Sequence, residues 1–202
     1  MEEKIIIKKI DAERKELEAN FENKNSNVLT TKPVNQWMKE ASARPDPKQL
    51  VGSLLYEGEL SVFFGDSNTG KSIGAVQIGD NVSKGKGTLG LINEANLQKV
   101  LIIDCELSDK VFQKRYTHEK KLYQFHENFN RAEINTAKIN ADSESLGKMI
   151  IESIKIEAIE NKIKIFIIDN ITFLGSEMEK SKNALPLMKN LQELTKKLNI
   201  TI

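Results

Sequence analysis

Residues 60–72 read LSVFFGDSNTGKS, which is the strongest indication of the fold in this chain. Its second part, GDSNTGKS at positions 65–72, matches the phosphate-binding loop pattern GxxxxGK[ST] at every fixed position. The apolar run LSVFF in front of the loop predicts a β-strand, and a helix is predicted from about Lys71 onward. Glycine, aspartate, serine and asparagine also form ordinary turns, but a strand before the loop and a helix after it favour a site for a nucleoside triphosphate.

Each fixed position of this loop has a physical task. Gly65 and Gly70 allow the backbone to curl so that successive N–H groups surround the phosphates. Lys71 supplies positive charge to the β and γ phosphates and assists catalysis, and the hydroxyl of Ser72 has the reach to ligate Mg²⁺. The positive end of the following helix adds to the attraction. The predicted ATP-binding residues of this segment are Gly65, Asp66, Ser67, Asn68, Thr69, Gly70, Lys71, Ser72 and Ile73.

Composition sets broad limits on the protein class. A chain of 202 residues with 39% hydrophobic content suits one domain with a short appendage. Lys and Arg total 30 against 29 Asp and Glu, so overall charge does not indicate a nucleic-acid partner. The single cysteine, Cys105, excludes an intramolecular disulfide, and the start MEEKIIIKKI lacks the core of a signal peptide. We therefore expect a cytoplasmic protein without a membrane span.

The chain divides into an arm and a domain. Residues 1–43 are charged and rich in asparagine, with short helices expected at 11–21 and 33–43, and we expect them to form a flexible or accessory arm. The segment RPDPK at 44–48 should be extended, because each proline restricts itself and the residue before it. The nucleotide-binding domain is therefore predicted to cover 44–202.

Strands and helices alternate through this domain. The predicted strands are 60–64, 100–103, 129–134 and 164–169, and the predicted helices are 71–83, 108–125, 143–161 and a last one after residue 180. The last helix carries an apolar stripe of Leu185, Met188, Leu191, Leu194 and Leu198. Continuous apolar strands between amphipathic helices indicate an α/β fold of three layers, with a mainly parallel sheet covered by helices on both faces.

The segment IFIIDN at 165–170 delivers Asp169 to the carboxyl end of a buried strand. This is the geometry of a Walker B aspartate, whose carboxylate holds the water shell of the Mg²⁺ that Ser72 ligates. An aspartate beside an asparagine also caps strands and starts turns. The P-loop upstream favours the metal-binding interpretation of Asp169.

The segment VLIIDCELSD at 100–109 ends a second strand on Asp104 and then reaches Glu106. Hydrolysis of a γ-phosphate requires a group that orients the attacking water, and a carboxylate in the cleft can do so. Glu106 lies further past the strand and has the longer side chain, so we predict it as the catalytic carboxylate, with Asp104 as a supporting group. The alternative is a solvated loop acid, or the lead-in to a helix capped by Ser108.

The order GDSNTGKS, DCELSD, IIDNITFL resembles the RecA-like ATPases, which include DnaB-type helicases and KaiC, and is most similar to RepA-type plasmid helicase ATPases and related ATPases of mobile elements. The resemblance covers approximately residues 44–202. It implies a RecA-like domain in which Glu106 is catalytic, and it implies a nucleotide contact from Arg115, since family members often carry an arginine after this acidic segment. It also implies a hexameric ring that hydrolyses ATP at subunit interfaces while moving on single-stranded DNA.

One departure from the family pattern concerns residues 200–202, where the next buried strand is expected to begin. In RecA-like proteins this strand lies between the P-loop strand and the Walker B strand and ends in a His or Gln sensor. We therefore expect a partial domain, incomplete at its C-terminus. His118 and His126 are expected on or near a polar helix, where they are exposed and do not replace the sensor.

The predicted helix at 108–125 is locally basic. Its positive residues are Lys110, Lys114, Arg115, Lys120 and Lys121. Phe112 or Tyr116 would be able to approach a nucleotide base, but such a run more often forms a solvated face. A role in binding DNA is therefore one of two alternatives here.

Two classes of function follow from the sequence. The first is an ATP-driven motor, such as a helicase in plasmid or mobile-element replication. The second is a regulatory switch or assembly protein controlled by ATP, without unwinding activity. A P-loop kinase is less favoured, because no acceptor site is visible and the two carboxylate strands match ATPases that activate water.

Overall fold

The computed structural model describes residues 29–135, 143–171 and 181–202. It divides into two units, Met1–Asp46 and Pro47–Ile202. In the first unit, helix α1 spans Val34–Ser42 and has no buried residue. The helix expected at 11–21 lies outside the described residues.

The second unit is built on a parallel sheet of three strands: β1 (Val100–Asp104), β4 (Phe129–Glu133) and β5 (Ile165–Asp169). Their order is β4-β1-β5, and β1 is parallel to both neighbours. The strands are in register, so that Asp104 lies beside Glu133 on one side and Asp169 on the other. Three acidic residues therefore end the three strands at the same edge of the sheet.

Helices cover both faces of this sheet. Helix α2 (Lys71–Ser83) contacts all three strands, whereas α4 (Ser143–Glu160) and α5 (Ser181–Leu198) pack against each other. The core divides accordingly: Val82 of α2 clusters with Val100 and Ile165, and the α4–α5 pair clusters with Leu101, Ile103 and Phe166. Alternate strand residues thus face opposite layers, which confirms the three-layer α/β/α prediction.

Helix α2 approaches the sheet closely at Gly79. A Cβ at this position would collide with the ring of Phe129 and lie 3.1 Å from Cδ1 of Ile167. Asp80, the next residue, is buried, and its carboxylate accepts hydrogen bonds from Lys84, Tyr123 and the backbone N–H of His126. These contacts fix the helix that follows the P-loop against the sheet.

The strand predicted at 60–64 does not form. Phe63 and Phe64 are 67% and 86% exposed, and within the described part of the chain residues 62–64 have no backbone hydrogen bond to a strand. A strand requires a paired neighbour, and here the pairing stops at Ser61, whose N–H donates to the carbonyl of Ile202 at 2.9 Å. The apolar pattern alone was therefore misleading at these positions.

Residues 201–202 lie where the next strand was expected. Thr201 pairs in parallel with Ile165, and its N–H donates to the carbonyl of Lys164 at 2.9 Å. On the other side, the N–H of Ile202 donates to the carbonyl of Glu59 at 3.0 Å. The segment thus lies between β5 and residues 59–61, which confirms its predicted place, although only an isolated bridge forms here and the predicted P-loop strand on its other side is absent among the described residues.

The helix predicted at 108–125 is wrong beyond its first part. Helix α3 spans only Asp109–Arg115, and an antiparallel hairpin follows, formed by β2 (Thr117–His118) and β3 (Lys121–Leu122). The charged composition favoured a helix, but the rings of Phe112, Tyr116 and Phe125 pack together and fold the chain back. His118 consequently lies in β2 rather than on a polar helix, and the strand expected near residue 129 is confirmed as β4.

The stripe predicted on α5 is correct at Leu191 and Leu194, which are buried. It is wrong at Leu185, which is 56% exposed, and Leu187 is buried instead. No helix of the described ranges is long and apolar enough to cross a membrane.

Candidate functional site

The glycine-rich turn leads directly into α2. Gly70 precedes the helix with φ of 87° and ψ of 13°, a left-handed conformation that suits glycine. A Cβ on Gly65 would approach Thr69 Oγ1 to 3.3 Å and Cδ of Lys71 to 3.9 Å. Glycine at position 65 therefore avoids a tight contact with Thr69, and glycine at position 70 permits the left-handed backbone.

Lys71 turns its ammonium back into this loop. Nζ donates to the carbonyl oxygen of Gly65 at 2.8 Å and to that of Asp66 at 2.6 Å. Thr69 closes the same turn by donating its hydroxyl to the carbonyl of Asp66 at 2.7 Å. A positive charge inside an open, glycine-lined curve fits the phosphates of a nucleotide.

The other ATP-binding residues of the prediction lie along the same turn. Asn68 adopts a left-handed φ of 62°, which helps the chain reverse direction. Ser72 is half-buried as the second residue of α2, and Ile73 is 54% exposed. The structure thus places 65–73 together at the start of α2.

The carboxyl edge of the sheet brings together Asp104, Asp169 and Glu106. Asp104 and Asp169 are register partners, and the N–H of Cys105 donates to the carbonyl of Asp169 at 2.7 Å. Burial raises the pKa of the Cys105 thiol to about 12. The negative charges of Asp104, Asp169 and Glu106 add to the same shift, because they disfavour the thiolate.

Asp104 is buried and uses its carboxylate to shape the chain. Oδ1 accepts from the backbone N–H groups of Glu106 at 3.0 Å and Leu107 at 2.9 Å, and Oδ2 accepts from Nε of Arg131 at 3.0 Å. These bonds occupy both carboxylate oxygens. Asp104 therefore holds the turn that carries Glu106, which is a more specific role than the supporting one expected.

Glu106 is exposed just past this turn. Its Oε1 accepts a hydrogen bond from the side-chain amide of Asn170, the residue after Asp169. The ends of β1 and β5 are thereby linked through side chains as well as backbone. The helix capped by Ser108 is confirmed, because its hydroxyl accepts from the N–H of Val111 at 3.5 Å at the start of α3. The catalytic role of Glu106 stays a prediction.

Phe112 and Tyr116, considered as base contacts, belong to an aromatic cluster. The centre of the Phe112 ring lies 4.7 Å from that of Tyr116, and the guanidinium carbon of Arg131 lies 4.6 Å from the centre of the Phe112 ring. Burial raises the pKa of Tyr116, and the positive charge of Arg115 opposes this. Arg115 is the last residue of α3, and its nucleotide contact stays a prediction.

Sequence reasoning missed Arg131 and Asn170. The sequence did contain an indication for Asn170, because it directly follows Asp169, the predicted Walker B aspartate. No sequence pattern indicated Arg131, because it contacts Asp104 only once β4 pairs with β1, where Arg131 is the register partner of Ile102. Among the described residues, no group of three or more His, Cys, Asp or Glu side chains is arranged to hold a metal ion by itself.

Comparison with known proteins gives one family. A family model described as AAA domain matches residues 26–202. No curated protein matches the chain.

Proposed function

The chain belongs to the AAA domain family, and on that premise we propose that it binds ATP with Mg²⁺ at loop 65–72 and hydrolyses it with the help of Glu106. Membership of the family supports an α/β P-loop fold, nucleotide binding and ATP hydrolysis in general terms. The roles of individual residues rest on their contacts.

One observation carries the binding proposal. The ammonium of Lys71 lies inside the glycine turn, where it donates to the carbonyls of Gly65 and Asp66. Anionic phosphate oxygens form stronger, charge-assisted hydrogen bonds with an ammonium than neutral carbonyls do. We therefore expect Lys71 to exchange these carbonyls for the β and γ phosphates when ATP binds.

Ser72 and Asp169 are the residues that would hold Mg²⁺. Bound Mg²⁺ usually takes only one or two protein ligands beside water and phosphate oxygens, so a complete protein cage is unnecessary. The ion neutralises charge that develops on the phosphates during transfer. The hydroxyl of Ser72 would ligate the ion directly and the carboxylate of Asp169 would hold its water shell, and both offer oxygen atoms of the hard type that Mg²⁺ prefers.

Glu106 is proposed to act on the attacking water. Its carboxylate orients the water and takes its proton while the oxygen bonds to the γ phosphorus, and the bond from that phosphorus to the β–γ bridging oxygen breaks to release ADP. Asp104 is less suited to this task because it is buried and its two oxygens together accept three hydrogen bonds. Glu106 is exposed and its contact with Asn170 leaves acceptor positions for water.

The finer proposal is a DNA-dependent motor of the RepA type that works as a hexamer, with Arg115 close to the nucleotide. It is supported by the order of the three motifs and by basic residues on α3 and the β2–β3 hairpin, including Lys114, Lys120 and Lys121. The competing proposal is an ATP-controlled switch without unwinding. Single-stranded DNA that accelerates phosphate release, together with a ring detected by light scattering, would favour the motor, whereas DNA-indifferent hydrolysis by a monomer would favour the switch.

The binding proposal is tested by Lys71→Ala, with the exposed Lys189→Ala of α5 as a matched control. We expect calorimetry to show a loss of about 100-fold or more in MgATP affinity for Lys71→Ala, because a charge-assisted phosphate contact is removed. Lys189→Ala should bind like the unchanged protein, and circular dichroism should report the same fold for all three. Unchanged affinity in folded Lys71→Ala would remove the loop as the site.

A further inference from the structure

Arg131 lies on the edge strand β4, and the sequence gives it no motif. Its guanidinium makes contacts in four directions. Nε donates to Asp104 Oδ2 at 3.0 Å, and the two terminal nitrogens donate to Glu133 Oε1 and to the carbonyl oxygen of Leu107. The face of the group lies 4.6 Å from the centre of the Phe112 ring. The side chain is only 17% exposed, so these contacts replace most of its hydration.

The partners of Arg131 are the groups that shape the turn after β1. Asp104 receives the N–H groups of Glu106 and Leu107 on one oxygen and Arg131 on the other. Arg131 also binds the carbonyl of Leu107. Asp104 therefore holds the turn through the N–H groups of Glu106 and Leu107, and Arg131 holds it through the carbonyl of Leu107.

We propose that Arg131 is a positioning residue, which fixes the Asp104 carboxylate and the Leu107 carbonyl so that Glu106 is presented at a constant place beside Asn170. The inference rests on the proposed role of Glu106 in ATP hydrolysis. Arg131 itself contacts neither Glu106 nor the P-loop among the bonds described, so it acts through the turn.

Arginine suits this task for a geometric reason. A planar group with donors on three nitrogens can bind Asp104, Leu107 and Glu133 at once while its face stacks on Phe112. A lysine has one nitrogen and no flat face, so it can satisfy Asp104 but cannot also hold the Leu107 carbonyl in a fixed plane. Lysine should consequently restore part of the effect and not all of it.

The kinetic test combines Arg131→Met with Glu106→Gln. Methionine keeps most of the unbranched apolar stem but removes the guanidinium, and with it every hydrogen bond and the contact with the Phe112 ring. In otherwise unchanged protein we expect Arg131→Met to lower kcat by about 10- to 100-fold, since small misplacement of a reacting group has effects of this size. The Kd for a non-hydrolysable ATP analogue should change less than about twofold, because the P-loop is on another segment. The kcat of Arg131→Lys should lie between that of Arg131→Met and that of the unchanged protein.

The double variant separates positioning from general damage. If Arg131 acts only through Glu106, adding Arg131→Met to Glu106→Gln should reduce the residual kcat no further. An equal loss in both backgrounds would overturn the proposal, because a structural role lowers activity with or without the Glu106 carboxylate. Normal turnover by Glu106→Gln would instead refute the role proposed for Glu106.

Amide hydrogen exchange tests the positioning role without any need for ATP hydrolysis. The N–H groups of Glu106 and Leu107, which bind Asp104, should exchange at least about tenfold faster in Arg131→Met, while the amides inside β1 keep their protection. The control is Glu152→Gln, which breaks an exposed ion pair with Lys155 on α4. It should change neither the exchange at Glu106 and Leu107 nor the protection of the amides inside β1. Unchanged exchange at Glu106 and Leu107 would overturn the proposal. Absence of ATP hydrolysis by the unchanged protein would refute the proposed function, while exchange still decides whether Arg131 holds the turn.

Discussion

The P-loop and the turn that carries Glu106 lie in the same unit but are held in different ways. The contacts of Lys71 span five and six residues, whereas Arg131 reaches Asp104 across 27 residues and Asn170 reaches Glu106 across 64. The loop is therefore defined by neighbouring sequence. The acidic edge, by which we mean Asp104, Glu106 and Asp169, depends instead on the register of β4, β1 and β5. Short-range contacts make a site that a pattern can identify, and long-range contacts make one that only the folded sheet assembles.

The first prediction changes one carboxylate of the acidic edge and leaves the P-loop unchanged. Glu106→Gln keeps the size of the side chain but removes the negative charge, so we expect kcat to fall by about 10² to 10⁴. MgATP affinity should be retained, because the contacts of Lys71 do not involve Glu106. Steady-state phosphate release and calorimetry measure the two quantities.

The control is Glu127→Gln, a change of the same type at an exposed residue before β4. It should hydrolyse ATP at the normal rate. If Glu106→Gln does so as well while Asp104→Asn does not, the activating carboxylate is Asp104 and the proposed division of tasks along this edge is wrong.

The difference between short-range and long-range contacts also explains which features could be predicted from the sequence. The three-layer fold followed from apolar strands alternating with amphipathic helices. The position of Asp169 at the end of β5 followed from the apolar run in front of it, and its metal-binding role stays a prediction. The strand at 60–64 was wrong because pairing, which no local pattern contains, ends at Ser61. The helix at 108–125 was wrong because aromatic packing between Phe112 and Phe125 outweighs helix propensity. Arg131 could not be found, because its significance exists only once β4 lies beside β1.

The second prediction concerns the contact between the helix that follows the P-loop and the segment before β4. Asp80 of α2 accepts hydrogen bonds from Tyr123 and from the N–H of His126, both in the segment leading to β4. Asp80→Ala leaves these donors and Lys84 without their buried acceptor, so we expect the free energy of unfolding to fall by about 2–3 kcal/mol at pH 7. Denaturant unfolding measures this. Glu193→Gln, in an exposed pair with Lys197, should cost close to nothing.

The contribution of Asp80 to the free energy of unfolding should decrease at acidic pH. Burial alone would raise the pKa of Asp80, but hydrogen bonds from Lys84 and Tyr123 outweigh it, and the pKa is lowered. A carboxyl whose pKa is lower in the folded state stabilises the protein above its unfolded pKa, near 4, and loses this contribution as the pH falls through the folded value. The difference between the unchanged protein and Asp80→Ala should therefore shrink below about pH 4. A difference that grows on acidification would contradict the assignment.

The third prediction tests the close packing of the P-loop helix. Gly79→Ala introduces a Cβ into the ring of Phe129, so we expect the free energy of unfolding to fall by about 1–2 kcal/mol. Gly74→Ala is a matched control on the same helix, since its Cβ would meet Phe63 at an ordinary 3.6 Å. That change should be neutral or stabilising, because alanine favours a helix over glycine. Equal destabilisation by both changes would mean that helix geometry, not contact with β4, decides the result.

The smallest expected effect uses the only cysteine as a reporter of the acidic edge. The thiolate of Cys105 is the form that reacts with iodoacetamide, and burial together with neighbouring carboxylates raises the pKa of this thiol to about 12. Glu106→Gln or Asp169→Asn removes one of these charges, which should lower the thiol pKa and increase the alkylation rate at pH 8 by about 3- to 10-fold. Mass spectrometry of the labelled chain, repeated across pH, separates a shifted titration from a change in access, because only the former moves the profile along the pH axis.

The control is Glu127→Gln, in which Cys105 should be alkylated at the unchanged rate. If Glu106→Gln and Asp169→Asn do the same, the two carboxylates do not act on Cys105 together, and the acidic edge is not one electrostatic unit.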